Sequence, residues 1–126
     1  MAKKTALTSE EKSDIILSAL EDKKAVDPVA INVRDRTVMT DIFVVAAGTS
    51  NIHIKALVDA VMDKLADSGV KSKRLAGYEE GKWVLLDYGD VVVHVFAPEQ
   101  RAFYRLESYW TGAEKGSPPP LSPDEA

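Results

Sequence analysis

Hydrophobic and polar positions alternate most regularly between Trp83 and Phe96, where two apolar runs flank the dipeptide Gly89-Asp90. A two-residue loop with glycine first favours a type II′ turn, whose twist matches that of paired antiparallel strands. The pattern therefore predicts a β-hairpin with a defined register. One face of this hairpin then carries only apolar side chains and one phenol, which is typical of a buried core: Val84, Leu86, Tyr88, Val91, Val93 and Val95.

The opposite face of the hairpin mixes large aromatic side chains with a carboxylate and an imidazole. Two kinds of cover remain open for it. A helix of the same protein covers many sheets that are buried on both sides, whereas an exposed cluster of large hydrophobic side chains marks a surface for a partner. The cross-strand pairs on this face are Trp83 with Phe96, Leu85 with His94, and Asp87 with Val92.

Helical spacing occurs twice before the hairpin. Thr8 begins a capping box ahead of an apolar stripe, which predicts a first helix over about residues 8 to 24. We expect Pro28 to end that helix. Ser50 is suited to cap a second helix, which Gly69 terminates.

Three further segments have the composition of strands. Residues 29 to 33 alternate between apolar and smaller or polar side chains. The continuous apolar run from Ile42 to Ala47 is typical of a strand covered on both faces, and we expect it in the middle of the sheet. Residues 71 to 75 are expected to return after the second helix as a short strand parallel to that run, in a right-handed crossover.

The last helical pattern begins at Pro98 and places Phe103, Leu106 and Trp110 on one face. The element order αββαβββα predicts a single α/β domain, with a mixed β-sheet of about five strands flanked by helices. We expect this domain to span residues 8 to 110. Residues 1 to 7 and the proline-rich residues 111 to 126 are expected to be flexible.

Composition narrows the classes of function. Sixteen Lys and Arg against twenty Asp and Glu give a net charge of -4 over 126 residues, so the chain lacks the broad basic surface of a nucleic-acid-binding protein. Without cysteine, disulfides and thiolate metal sites are excluded, and we expect a cytoplasmic protein. No apolar run approaches the ~20 residues that a membrane helix requires.

Candidate catalytic and metal-binding residues are few. Gly48 to Ser50 precede a helix N-terminus that is able to bind phosphate, but a glycine and a helix cap explain them without a ligand. Asp41 and Asp90 fit the start of a strand and a turn better than a Mg²⁺ site shared with Asp87. Two histidines without cysteine disfavour zinc. We therefore expect no catalytic centre, no cofactor and no metal.

Two charged segments permit two interpretations each. Arg101 and Tyr104 lie on the last predicted helix, either on a solvated face with charge pairs or as part of a contact surface with the hairpin. Lys71, Lys73 and Arg74 form a small basic spot. It is either a solvated strand edge that discourages aggregation or a contact to phosphates of a partner containing nucleic acid.

The segment LLDYGDVVVHVF, followed by a helix of the type RxFYxLExxW, resembles the ribosomal silencing factor family, also called iojap-like proteins. DIFV is similar to that family's Asp-Tyr-Phe-Val segment, with Ile42 at the usual Tyr position. Gly48-Thr49-Ser50 resembles its Gly-x-Ser turn, and residues 24 to 27 and 77 to 83 also fit. The resemblance covers about residues 17 to 110.

This resemblance implies a domain related in shape to nucleotidyltransferases but without their paired catalytic carboxylates, forming a homodimer when free. It also implies a non-enzymatic role. Such proteins attach to large-subunit ribosomal protein fourteen and sterically block joining of the small subunit, which represses translation when nutrients are limiting; a minor contact to ribosomal RNA fits the basic spot. The implied contact residues are Trp83, Leu85, Asp87, Tyr88, His94, Arg101 and Tyr104.

Two other functions stay open at this point. One is a small nucleotide-binding enzyme of nucleotidyltransferase type that uses Ser50, Asp87 and Asp90 with Mg²⁺. The other is a dimerisation module with no role at the ribosome. For the silencing hypothesis, we expect Trp83→Ala to weaken ribosome binding while leaving the fold intact.

Overall fold

A computed structural model describes residues 7 to 35 and 37 to 97. Within these ranges the chain forms one five-stranded sheet in the order β1-β2-β5-β4-β3, with two helices. The predicted α/β class with a mixed sheet is therefore confirmed. The predicted last helix and both predicted flexible ends, apart from residue 7, lie outside the described residues. The elements are α1 Ser9–Asp22, β1 Val26–Asn32, β2 Ile42–Ala47, α2 Asn51–Asp67, β3 Arg74–Ala76, β4 Trp83–Asp87 and β5 Val91–Phe96.

Both helices begin at the caps that the sequence predicts. The Thr8 hydroxyl accepts a hydrogen bond from the Glu11 N–H, and the Glu11 carboxylate accepts one from the Thr8 N–H, which completes the capping box. The Ser50 hydroxyl accepts the N–H of His53 at the start of α2. The first helix ends at Asp22, two residues before the predicted end, and the backbone then turns through Lys24 at φ 63°.

Pro28 does not end α1, as the sequence had suggested, but lies inside β1. This is tolerated because β1 is an edge strand, where a missing N–H removes no bond from an inner ladder. A bulge between Val26 and Val29 accommodates Asp27 at φ 49°. The strand therefore begins three residues earlier than the alternation alone indicated.

The hairpin has the predicted register. Val84 pairs with Val95, and Leu86 with Val93, in an antiparallel ladder. Gly89 has φ 90° while Asp90 has no positive φ, as a type II′ turn requires.

One expectation about the sheet is wrong. The middle strand is β5 and not β2, although β2 is an inner strand whose six residues are all buried. The strand after α2 runs parallel to β2 as expected; it lies at the far edge of the sheet, where it pairs antiparallel with β4. The hairpin strands β4 and β5 lie between β2 and β3. Burial of these continuous apolar strands is more favourable than burial of β3, which has only three residues and exposes Arg74 and Leu75.

The sheet has a hydrophobic cluster on each face. The helix-covered face packs residues such as Val44, Val93 and Tyr88 against α1 and α2. The cluster on the opposite face contains no residue of either helix. Its members are Ile31, Val33, Phe43, Val45, Ala47, Trp83 and Phe96, all of them buried. We call the sheet face that carries this cluster the second face.

Candidate functional site

A groove of about 330 Å³ opens on the second face. It lies at the end of the sheet where β2 and β5 begin and β4 ends. This end is opposite to that occupied by Trp83 and Phe96, which pair at the far end of the hairpin. We call this concave surface the groove. Its lining residues are Thr37, Met39, Thr40, Phe43, Lys73, Arg74, Leu85, Asp87, Gly89 and Val92.

The floor of the groove is apolar, and its edge exposes hydrophobic side chains. Phe43, Leu85 and Val92 come from three adjacent strands. Met39 lines the groove with 68% of its surface exposed, and the preceding Val38 is fully exposed. Exposed large hydrophobic side chains are few in the described part of the chain, so two consecutive ones beside an apolar groove indicate a contact surface.

Three charged side chains line the groove: Lys73, Arg74 and Asp87. Asp87 and Lys73 differ in their exposure. Asp87 is half-buried, and its Oδ1 accepts the Gly89 N–H at 2.7 Å. Lys73 is exposed, and its ammonium lies over Gly89, where a Cβ would come within 3.0 Å of Nζ. Neither group forms an ion pair within residues 7 to 35 and 37 to 97. The anion is therefore the more deeply placed charge.

Thr40 adds a polar atom without a partner. The residue lines the groove and is 6% exposed, and its buried Oγ1 has no hydrogen-bond partner within the described part of the chain. A buried hydroxyl without a partner costs free energy. The β1–β2 loop therefore holds a buried hydroxyl that forms no hydrogen bond within the described part of the fold.

A buried aromatic group lies beside the groove on the same face of the sheet. The Trp83 Nε1–H donates to His94 Nδ1 at 3.1 Å, so in the neutral imidazole the proton is on Nε2. This nitrogen is buried and has no hydrogen-bond partner among residues 7 to 35 and 37 to 97. The Phe43 ring meets the imidazole edge to face at 5.1 Å between centroids. Burial lowers the pKa of His94 to about 3, so the ring is neutral at pH 7.

A polar cluster fixes the first turn of α1 to the same end of the sheet. The Ser9 hydroxyl lies 2.7 Å from an Asp41 oxygen and 3.0 Å from an Asp90 oxygen. Lys12 Nζ reaches Asp90 at 2.9 Å, and Arg34 pairs with Asp41 at 3.5 Å. Burial opposes ionisation of Asp90, but the hydrogen bonds from Lys12 and Ser9 outweigh it and lower the pKa of this carboxyl. Both carboxylates are thus engaged in structural contacts.

The residues of the enzymatic alternative are not brought together. Asp90 accepts the N–H of Ile42 at the start of β2, whereas Ser50 follows the other end of that strand. In the described ranges, no group of three or more His, Cys, Asp or Glu side chains is arranged to hold a metal ion. No helix in these ranges is long and apolar enough to cross a membrane.

Comparison with known proteins decides the family. A family model described as "Ribosomal silencing factor during starvation" matches residues 6–126. The chain belongs to this family.

Individual relatives agree with this membership. A ribosomal silencing factor of Halalkalibacterium halodurans is 37% identical over 85% of this chain and 92% of its own. One from Chromobacterium violaceum is 41% identical over 82% of this chain and 84% of its own. The chloroplastic protein Iojap of Zea mays is 40% identical over 78% of this chain, which corresponds to 42% of the maize protein.

Solved structures show the same fold. A crystal structure of a protein from Chromobacterium violaceum superposes with a TM-score of 0.80 at 38% identity, covering 93% of this chain and 97% of that one. A structure from Bacillus halodurans gives a TM-score of 0.74 at 39% identity, covering 80% and 94%.

In this ribosomal silencing factor family member, the residues predicted for partner contact occupy three kinds of place. Leu85 and Asp87 line the groove. Trp83 and His94 are buried beside it on the same face, and Tyr88 lies in the helix-covered core, where burial raises its pKa to about 12. Arg101 and Tyr104 are outside the described residues.

The burial of Trp83 changes the expected outcome of its substitution. The side chain is 4% exposed, and its ring lies 5.0 Å from that of Phe96. Truncation of such a residue costs about 3–5 kcal/mol. We therefore no longer expect Trp83→Ala to leave the fold intact, and this variant is unsuitable as a probe of binding.

Sequence reasoning missed the contribution of the β1–β2 loop. Thr37, Met39 and Thr40 line the groove, yet they belong to no periodic pattern. The available signal was the pair Val38-Met39, two large hydrophobic residues in a segment with turn character. Their exposure depends on how the loop leaves the sheet, which local sequence does not specify.

Proposed function

We propose that this protein binds the large ribosomal subunit through large-subunit ribosomal protein fourteen and sterically prevents joining of the small subunit, repressing translation under nutrient limitation. Family membership carries the proposal, since the matching family model is described as a ribosomal silencing factor during starvation. A mouse relative, 32% identical over 78% of this chain, is named for mitochondrial assembly of the ribosomal large subunit.

We assign docking to the groove and its edge. Among the contact residues implied by the resemblance, Asp87 and Leu85 line this surface, and Trp83 and His94 are buried beside it on the same face. Val38 and Met39 extend it with exposed apolar area. Apolar anchors that are buried on binding support the slow dissociation that steric blocking requires.

The described residues form a sheet with both described helices on one face, an arrangement that suits steric blocking. The groove and the helices lie on opposite faces of the sheet. A protein docked through the groove therefore presents α1 and α2 outward, toward any particle that approaches the same surface of the large subunit. No catalysis is needed for this function.

Sedimentation of the purified protein with separated ribosomal subunits tests the proposal. We expect the protein to migrate with the large subunit and not with the small one, and to reduce the yield of joined ribosomes when both are mixed. Migration with neither subunit would refute the proposal and favour a dimerisation module.

Three further measurements address the finer parts of the proposal. Isothermal titration with Mg-ATP separates a binding factor, which gives no heat, from a nucleotide-binding enzyme. Light scattering after size exclusion determines whether the free protein is the homodimer that the resemblance implies. If Lys71 and Lys73 contact ribosomal RNA, their replacement by glutamine should lower the salt dependence of binding to the large subunit, which binding at several salt concentrations measures.

A further inference from the structure

We infer that the groove receives a protein segment that presents an apolar side chain beside a lysine or arginine. This inference rests on the proposed function and specifies the chemistry of the partner at the same site. The apolar part would contact the groove floor and Met39, and the cation would pair with Asp87.

The apolar half follows from the shape and exposure of the site. Phe43, Leu85 and Val92 form a floor wide enough for one large side chain, since the groove measures about 330 Å³. Met39 is 68% exposed at its edge and has three flexible torsions, which allow it to fold over an incoming group. Phe43 and Leu85 are each 4% exposed, so the apolar surface that an occupant removes from water is mainly that of Met39 and the half-buried Val92. Its removal favours association.

The cationic half follows from Asp87. Its carboxylate is half-buried and accepts one backbone N–H, and no cation of residues 7 to 35 and 37 to 97 pairs with it. Docking of an apolar segment would remove more water from this anion. Such desolvation is compensated only when the partner supplies an opposite charge.

A phosphate-bearing occupant fits the groove less well. Phosphate would meet the half-buried carboxylate of Asp87 at short range, which is unfavourable. Lys73 and Arg74 also line the groove, but both side chains are exposed, so a phosphate can contact them without entering as far as Asp87. We therefore assign the groove to protein and leave the basic edge to ribosomal RNA.

Two matched pairs of variants test the inference with the full-length protein and purified large subunits. Asp87→Asn removes the charge but keeps an acceptor for the Gly89 N–H, and Asp63→Asn makes the same change on exposed α2. Met39→Ser removes the apolar edge, and Ile52→Ser does so at a residue that is 81% exposed and does not line the groove. Thermal unfolding verifies that all four variants are folded.

We expect both groove variants to bind large subunits roughly tenfold more weakly at low salt, while both control variants bind like the unchanged protein. The affinity of the Asp87→Asn variant should also fall less steeply with added salt, because one ion pair is missing. Measurement of binding at two salt concentrations gives both results.

If the groove variants bind large subunits as well as their controls do, the inference is overturned. In that case the proposed function still stands, because the unchanged protein binds the large subunit. Tighter binding by Asp87→Asn would also overturn the inference, because that result indicates an anionic occupant such as RNA. If the unchanged protein binds no large subunit, the proposed function fails first, so the two failures are distinguishable.

Discussion

The buried imidazole of His94 makes the stability of the fold dependent on pH. Its pKa is lowered to about 3 in the folded protein by burial, while in the unfolded chain it returns to about 6.5. Between these values the unfolded chain binds a proton that the folded protein does not. Stability is therefore complete above pH 6.5 and decreases as the pH falls.

The magnitude follows from the size of this interval. Each pH unit below 6.5 costs about 1.4 kcal/mol, so the free energy of unfolding at pH 5 should be about 2 kcal/mol lower than at pH 7. That is a substantial part of the roughly 5–15 kcal/mol that stabilises a typical domain. The loss is not offset on protonation, because Nδ1 then no longer accepts the Trp83 N–H and Nε2 has no acceptor.

Urea unfolding at pH 7, 6 and 5 measures this effect. His94→Gln provides a variant that does not titrate and retains an acceptor for the Trp83 N–H, and it should lose most of the pH dependence in this range. His53→Gln is the matched control, since His53 lies at the start of α2 and bonds to the Lys23 carbonyl. It should retain the dependence. An unchanged slope in the His94→Gln variant would refute the reasoning.

Three other substitutions test the packing near the sheet ends. Gly48→Ala should destabilise the fold by about 1–3 kcal/mol in urea unfolding, because the new Cβ would lie 2.7 Å from Ile54 Cγ1; stability equal to the parent would contradict this packing. Thr40→Val should raise stability by about 1 kcal/mol, because it removes a buried hydroxyl without a partner, and a lower melting temperature would show that the hydroxyl is satisfied. Lys12→Met should raise the pKa of Asp90 in an NMR titration of its carboxyl, and an unmoved pKa would remove Lys12 as a cause.

Local sequence was sufficient for the elements whose signals are short-range. The Thr8 capping box, the Ser50 cap and the Gly89-Asp90 turn each involve groups within a few residues of one another. The hairpin register follows from the turn, because side chains alternate strictly between faces. For the same reason, the core face of the hairpin was predictable residue by residue.

The position of each strand in the sheet was not predictable. A continuous apolar run indicates that β2 is buried on both faces, but β5 satisfies the same criterion and occupies the middle. The choice depends on long-range pairing between strands separated by some fifty residues, and no local preference distinguishes these arrangements. Pro28 shows the same limit, since it is compatible with β1 only because that strand is at an edge.

The residues of the candidate site were likewise only partly predictable from the sequence. The sequence identified the family and placed Leu85 and Asp87 on the non-core face of the hairpin, both of which follow from a long motif and from alternation. It did not distinguish side chains that support the site, such as Trp83 and His94, from those that line it.

Sequence by itself thus determined the α/β class, the hairpin and the family of this protein, because motif and periodicity are properties of neighbouring residues. Only the tertiary structure decided that the aromatic pair is buried and that the β1–β2 loop brings Met39 and Thr40 beside Asp87. Burial and juxtaposition depend on which distant segments pack together, so they are set by the free energy of the whole fold.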